Sequence, residues 1–169
     1  MKQFKKLLFI AVFTLGVVGV ANAQKIGHID TAKLFKAMPE TKEMMAELTK
    51  TGKTYKEEIE ALQIKFKDKL AKFDAEAEAQ TPEINEKRKI EVQQDAQRIQ
   101  QAEQFARIEL EKKEQELSKP LIEKAQKAIQ DVAADKGITY VFNSSPGAGL
   151  LVFDKGIDLY DAVKAKLGF

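Results

Sequence analysis

Three hydrophobic patterns follow one another along the 169-residue chain. The first is an uncharged run from Leu7 to Val20, apolar but for Thr14, preceded by Lys2, Lys5 and Lys6 and followed by Ala21-Asn22-Ala23. At 14 residues the run is short for a membrane span, which needs about 20. A basic start, a short apolar centre and small residues at the two positions a peptidase reads describe an export signal over residues 1–23, cleaved between Ala23 and Gln24. The second pattern is the alternation in Lys25 to Asp30, KIGHID, which suits a short strand. Asp30 or Thr31 then caps a helix starting near Ala32, and Pro39 ends or kinks it.

The third pattern is a long heptad. From Glu40 to Ala79 there is no proline, and apolar residues recur at alternating spacings of three and four. The seam predicted from this spacing holds Met45, Leu48, Tyr55, Ile59, Leu62, Phe66 and Phe73, interrupted at Lys69. Gln80-Thr81-Pro82 breaks the pattern and offers a cap and first-turn pair for a new helix. A weaker seam follows through Val92, Ile99, Leu110 and Leu117, with Glu103 and Lys113 intruding. Two arms of about 60 Å each, from roughly 40 residues at 1.5 Å per residue, folded about a tip near 80–82 predict an antiparallel hairpin over residues 40–119. Met44, Ile64, Leu70, Ile90, Phe105 and Ile108 fall off the seam, and a two-helix hairpin has only one seam in which to hide apolar groups.

Pro120 is expected to stop or bend the second arm, and Leu121 to Lys136 to form an amphipathic helix closed by Gly137. Strands are expected at Ile138 to Phe142 and Leu150 to Phe153, joined as a hairpin by the turn-rich Asn143 to Gly149, with a last helix from Asp158 to Leu167. Residues 24–39 and 120–169 then make a small body, and the fold class is α+β: a β-rich body carrying a long α-helical coiled-coil hairpin. A body of 66 residues buries little by itself and leaves strand edges open. Association of bodies through the strand residues Ile26, Ile29, Tyr140, Val141, Phe142, Leu151, Val152 and Phe153 resolves both problems.

Composition narrows the chemistry. The chain has 28 Lys+Arg, 26 Asp+Glu, one His and no Cys. Removing residues 1–23 takes away three lysines and no acid, so the exported chain carries 25 basic against 26 acidic groups. Polyphosphate binding needs a concentrated basic face, so nucleic acid is not an expected partner. Without Cys there are no disulfides and no thiol nucleophile. His28 alone cannot build a metal site, and the many carboxylates lie among lysines at helical spacing, where solvated ion pairs are the ordinary outcome. The Asn143–Gly149 loop lacks the following helix and the lysine of a phosphate cradle, and Asn143-Ser144-Ser145 matches a glycosylation triplet. No catalytic, cofactor-binding or metal-binding residue is expected.

KIGHIDTAKLFKAMPE, the Lys/Glu-rich arms, KPLIEKAQKAIQDVAADKGITYVF and the ending GLLVFDKGIDLYDAVKAKLGF together resemble the Skp (OmpH) family of periplasmic chaperones across essentially the whole exported chain. The resemblance implies a homotrimer in which small bodies hold three helical hairpins like tentacles around a cavity for unfolded outer-membrane proteins, without ATP, cofactor or catalysis. It also implies a periplasmic location. Members of the family can have strongly basic arms, whereas here the first arm has 8 basic and 10 acidic residues and the second 8 and 9. Lipopolysaccharide or a membrane surface would therefore meet no concentrated positive charge on the arms. Under this reading the off-seam Met44, Ile64, Leu70, Ile90, Phe105 and Ile108 are client-contact candidates, since many weak apolar contacts suit a promiscuous holdase. The alternative is a structural coiled-coil spacer or adaptor of the cell envelope, with the same arms holding one fixed partner.

Overall fold

The computed structural model describes residues 24–169, so the expected signal segment up to Ala23 lies outside the described residues. Strand β1 (Ile26–Ile29) runs into Asp30, whose carboxylate accepts the N–H of Lys33 at 2.9 Å and caps helix α1 (Thr31–Ala37). Pro39 disfavours helical backbone at the residue before it. Met38 accordingly turns extended (ψ 129°), and Pro39 becomes the first residue of helix α2 (Pro39–Glu76). One proline thus separates two helices. A 3₁₀ turn (Ala77–Ala79) reverses the chain, and Thr81, extended and accepting from the N–H of Ile84, caps helix α3 (Pro82–Asp135) with Pro82 in its first turn.

Helix α3 differs from the expectation of two helices meeting at Pro120: its 54 residues run without a break. An interior proline removes one hydrogen bond and costs about 3 kcal/mol. The residues just beyond it offset that cost, because Leu121, Ala125, Ala128, Val132 and Ala133 are all buried, and full burial of a Leu or Val contributes about 1.5–3 kcal/mol each. Gly137, at φ +63°, then ends the helix. Its N–H bonds the carbonyl of Ala134 and the N–H of Ile138 bonds that of Ala133, which leaves the buried Ile138 packed back on the last turn.

The sheet also departs from expectation. β1 lies in the centre, with β2 (Tyr140–Asn143) on one side and β3 (Ile157–Asp158) on the other, all parallel. Ile26 pairs with Tyr140 and Ile29 with Asn143, while Gly27 and His28 pair with Ile157 and Asp158. The Asn143–Gly149 segment is therefore not a β-hairpin connection. Leu150 to Phe153 is not a strand: the second edge of β1 is paired with β3 instead, and Leu151 is 92% and Val152 76% exposed. The body is correspondingly less β-rich than the apolar runs suggested. Val141 does pack against the core, and Ile29 is inside it with Leu34, Met38, Leu159 and Val163. The last helix, α4 (Tyr160–Leu167), covers this core from one side and ends at Gly168.

Two contacts fasten β3. The N–H of Leu159 donates to the carbonyl of His28 at 3.0 Å, and Gly156 lies against the His28 ring. A Cβ at position 156 would stand 2.9 Å from Cδ2 of His28 and 3.2 Å from the carbonyl oxygen of Phe153. Gly156→Ala should therefore destabilise the body by about 1–3 kcal/mol, the usual cost of forcing an extra carbon into a packed site. A urea titration checks this as a lowered midpoint with unchanged slope.

Candidate functional site

The long hairpin made by α2, of 38 residues, and α3, of 54, is the first candidate surface. Its register can be followed from tip to root through Glu76–Arg88, Lys69–Asp95, Gln63–Glu103, Glu47–Lys113 and Glu40–Lys124. Near the tip the Arg88 guanidinium also lies 4.6 Å from the centre of the Phe73 ring, a cation–π contact worth about 0.5–1 kcal/mol at exposed sites. Between these pairs Leu48, Tyr55, Ile59, Leu62, Phe66 and Phe73 of α2 meet Val92, Ile99, Leu110 and Leu117 of α3, each half-buried. Ala106 is buried among them, with a small part of its surface still exposed. Lys69 sits in this row because its stem can lie along the seam while its ammonium reaches Asp95 and Glu91.

Met44 and Met45 exchange the places expected of them. Met45, assigned to the seam, is 59% exposed, and Met44, assigned to the free surface, packs against the body core. At the root the hairpin no longer faces only its partner helix. The body core lies beneath it, and Met44 borders the same recess as Leu117, Pro120 and Leu121. A straight α-helix also drifts about 20° per heptad from a 3.5-residue repeat, so at the root a residue one position along faces inward.

Ile64, Leu70, Ile90, Phe105 and Ile108 are 39 to 57% exposed, separated by charged residues. Ile84, in the first turn of α3, joins them; it was not singled out from the sequence, although it too lies outside the Val92–Leu117 row. The Phe105 ring stands edge-on to Tyr55 with centroids 6.2 Å apart. A second apolar surface lies on the body, where Ile26, Phe142, Leu150, Val152, Phe153 and Ile157 line one recess; Tyr140 is exposed nearby in β2. Ile29 takes no part in it, being inside the chain's own core.

In the body a cluster of polar side chains is engaged in structural contacts. His28 is buried, with Nδ1 3.2 Å from the Ser144 hydroxyl and its ring against Phe153 at 4.6 Å. Ser145 Oγ lies 2.7 Å from Oδ1 of both Asp30 and Asn143, its one proton serving either, and it accepts the N–H of Ala32 at 3.0 Å. Asn143 Oδ1 also accepts from the N–H groups of Ser145 and Thr31. The segment 143–145 thus ties the end of β2 to the start of α1. Among the described residues no group of three or more His, Asp or Glu could hold a metal ion, and no helix is long and apolar enough to cross a membrane.

Electrostatics along the arms is pairwise. The Lys113 ammonium holds the Glu47 carboxyl below its usual value of 4.5, and Lys124 together with the backbone N–H of Glu40 does the same for Glu40. At the tip Glu83 is lowered by its own backbone N–H and the Thr81 hydroxyl. In the body the N–H of Lys33 and the Ser145 hydroxyl lower Asp30 from 3.8. A carboxyl whose value is depressed by folding stabilises the fold above its unfolded value, and that contribution is lost as pH falls through the folded value. Thermal unfolding followed by circular dichroism should therefore be flat from neutral pH down to about the ordinary values of 4.5 and 3.8, then drop on further acidification. Glu47→Gln should reduce the drop slightly, as fits an exposed pair.

The comparisons with known proteins agree with this geometry. The family described as outer membrane protein (OmpH-like) matches residues 25–167. Chaperone protein Skp of Vibrio cholerae is 30% identical over 156 residues, covering 86% of this chain and 88% of the relative. A crystal structure from Caulobacter crescentus, described as an OmpH-like outer membrane chaperone, superposes with a TM-score of 0.74 at 17% identity, covering 85% of this chain and 83% of that one. The last shows the fold; the first two show the family. With residues 25–167 matched by the family and a relative 30% identical over most of both chains, this chain belongs to the OmpH-like outer-membrane protein family, and its homology to a Skp chaperone supports a chaperone role.

Proposed function

We propose that the chain is an ATP-independent periplasmic holdase, exported by a cleaved signal, that keeps unfolded outer-membrane β-barrel proteins from aggregating in a cavity between the arms of a homotrimer. The observation that carries this reading is the set of exposed apolar side chains Ile64, Leu70, Ile90, Phe105 and Ile108, spread over a hairpin of otherwise charged surface. Contacts of this kind each gain little, about 25 cal/mol per Å² of apolar surface removed from water. Several arms acting together raise avidity while each contact breaks quickly. The sequence offers no nucleotide-binding loop, so capture and release run on equilibrium contacts alone. A client leaves when membrane insertion provides the lower free energy.

The test is aggregation of a urea-denatured outer-membrane protein on dilution, with and without residues 24–169. Light scattering should be suppressed by the wild-type chain. Each of Ile64→Ser, Leu70→Ser, Phe105→Ser and Ile108→Ser should weaken suppression modestly, and the four together should abolish most of it while far-UV circular dichroism is unchanged. Because the arms are nearly charge-balanced, suppression should depend only mildly on salt. No suppression by the wild-type chain, or loss of all binding through one substitution, would favour a spacer with a single fixed partner.

Assembly is supported by the apolar recess on the body and by the body's small size. Size exclusion with light scattering should give three times the monomer mass, and a monomer at micromolar concentration would overturn the trimer. Val152 is 76% exposed in the single chain. Val152→Asp should therefore dissociate the assembly while leaving each chain folded.

A further inference from the structure

Gly52 is a glycine in the interior of a 38-residue helix, a position where glycine costs about 1 kcal/mol relative to alanine. Neither a turn nor a tight crossing requires it. A Cβ at Gly52 would meet only the two methyl groups of Leu110, at 3.8 and 3.9 Å, which is ordinary contact distance. What the missing side chain creates is space. Gly52, Ile59, Ala106 and Leu110 form the floor of a recess of about 700 Å³ between α2 and α3, with Tyr55 beside them.

The banks of this recess are charged and unequal. On α3 Glu103, Arg107, Glu111 and Glu114 line it at helical spacing, and on α2 Lys56, Glu60 and Gln63 stand opposite. Four carboxylates thus face two cations around an apolar floor. We infer that the recess at Gly52 is a seat on each arm for one large apolar side chain, aromatic or aliphatic, of an extended polypeptide whose neighbouring residues are Lys or Arg. The floor supplies the area to bury and the absent side chain the room. The excess of Glu selects the flanking charge. This inference rests on the holdase reading of the arms and names a preference within it: the hairpin surface would not be uniformly sticky, and apolar segments bordered by basic residues would dwell longest.

Fluorescein-labelled short peptides with a single central Phe, flanked by Lys or by Glu and otherwise Gly and Ser, test this by anisotropy against residues 24–169. The Lys-flanked peptide should bind several-fold more tightly than the Glu-flanked one at low salt. Gly52→Leu places a bulky side chain, and a better helix former, over the floor of the recess and should weaken the Lys-flanked peptide about tenfold. Gly52→Ala, which leaves most of the space, should bind nearly as the wild type does. Reversing the bank with Glu103→Lys and Glu111→Lys together should invert the peptide preference, whatever happens to Gly52→Leu. Equal binding of both peptides by the wild type, or an unchanged preference in the reversed bank, would overturn the inference. Suppression of barrel-protein aggregation, measured on the same preparations, reads the holdase function separately: if it persists while the peptide preference is absent, only the seat is wrong.

Discussion

The structure depends on one helix serving two purposes. The last third of α3 forms a wall of the body core through Leu121, Ala125, Ala128, Val132 and Ala133, and the first two thirds form half of the arm. Because no loop separates them, the arm leaves the body as a continuation of the core. A projecting two-helix hairpin has little to bury except its own seam, so its direction must be set at its base. The Met44 contact with the core and the Glu40–Lys124 pair add a second strut there, from α2.

Much of the arm was legible in the sequence, since a heptad is a local pattern that needs no knowledge of distant residues. Thr81-Pro82 gives the second helix its start, and pairing outward from that point brings Lys69 and Glu47 to within about two residues of the partners they meet, Asp95 and Lys113. The failures occur where a distant part of the chain decides. Leu150 to Phe153 has strand composition, but a strand needs a partner chosen elsewhere in the chain, and the second edge of β1 is paired instead with the two-residue β3. Met44 and Met45 are equally apolar neighbours, and only the position of the body core chooses between them. At Pro120 a local rule predicts a break, and burial further along the same helix overrides it.

The surface was legible in a weaker sense. Residues outside the seam of a two-helix hairpin have to be exposed, so Ile64, Ile90, Phe105 and Ile108 follow from counting faces. The recess at Gly52 follows only in part: the seven-residue spacing puts Gly52 in the row of Met45 and Ile59, but the open space above it appears only once Leu110 and Ala106 are placed.

The parallel pairing of β1 with β2 also constrains the order in which the chain can become itself. His28 and the Ser144 it touches are 116 positions apart, and Ile26 cannot find Tyr140 until the whole arm has been synthesised and delivered. A ribosome feeding the chain N-terminus first presents β1 long before it has a partner. Closing a flexible loop of that length is slow. The hairpin shortens the search, because pairing of α2 with α3 brings both strands to the same end of the arm. The arm thereby acts as the scaffold on which its own base is assembled.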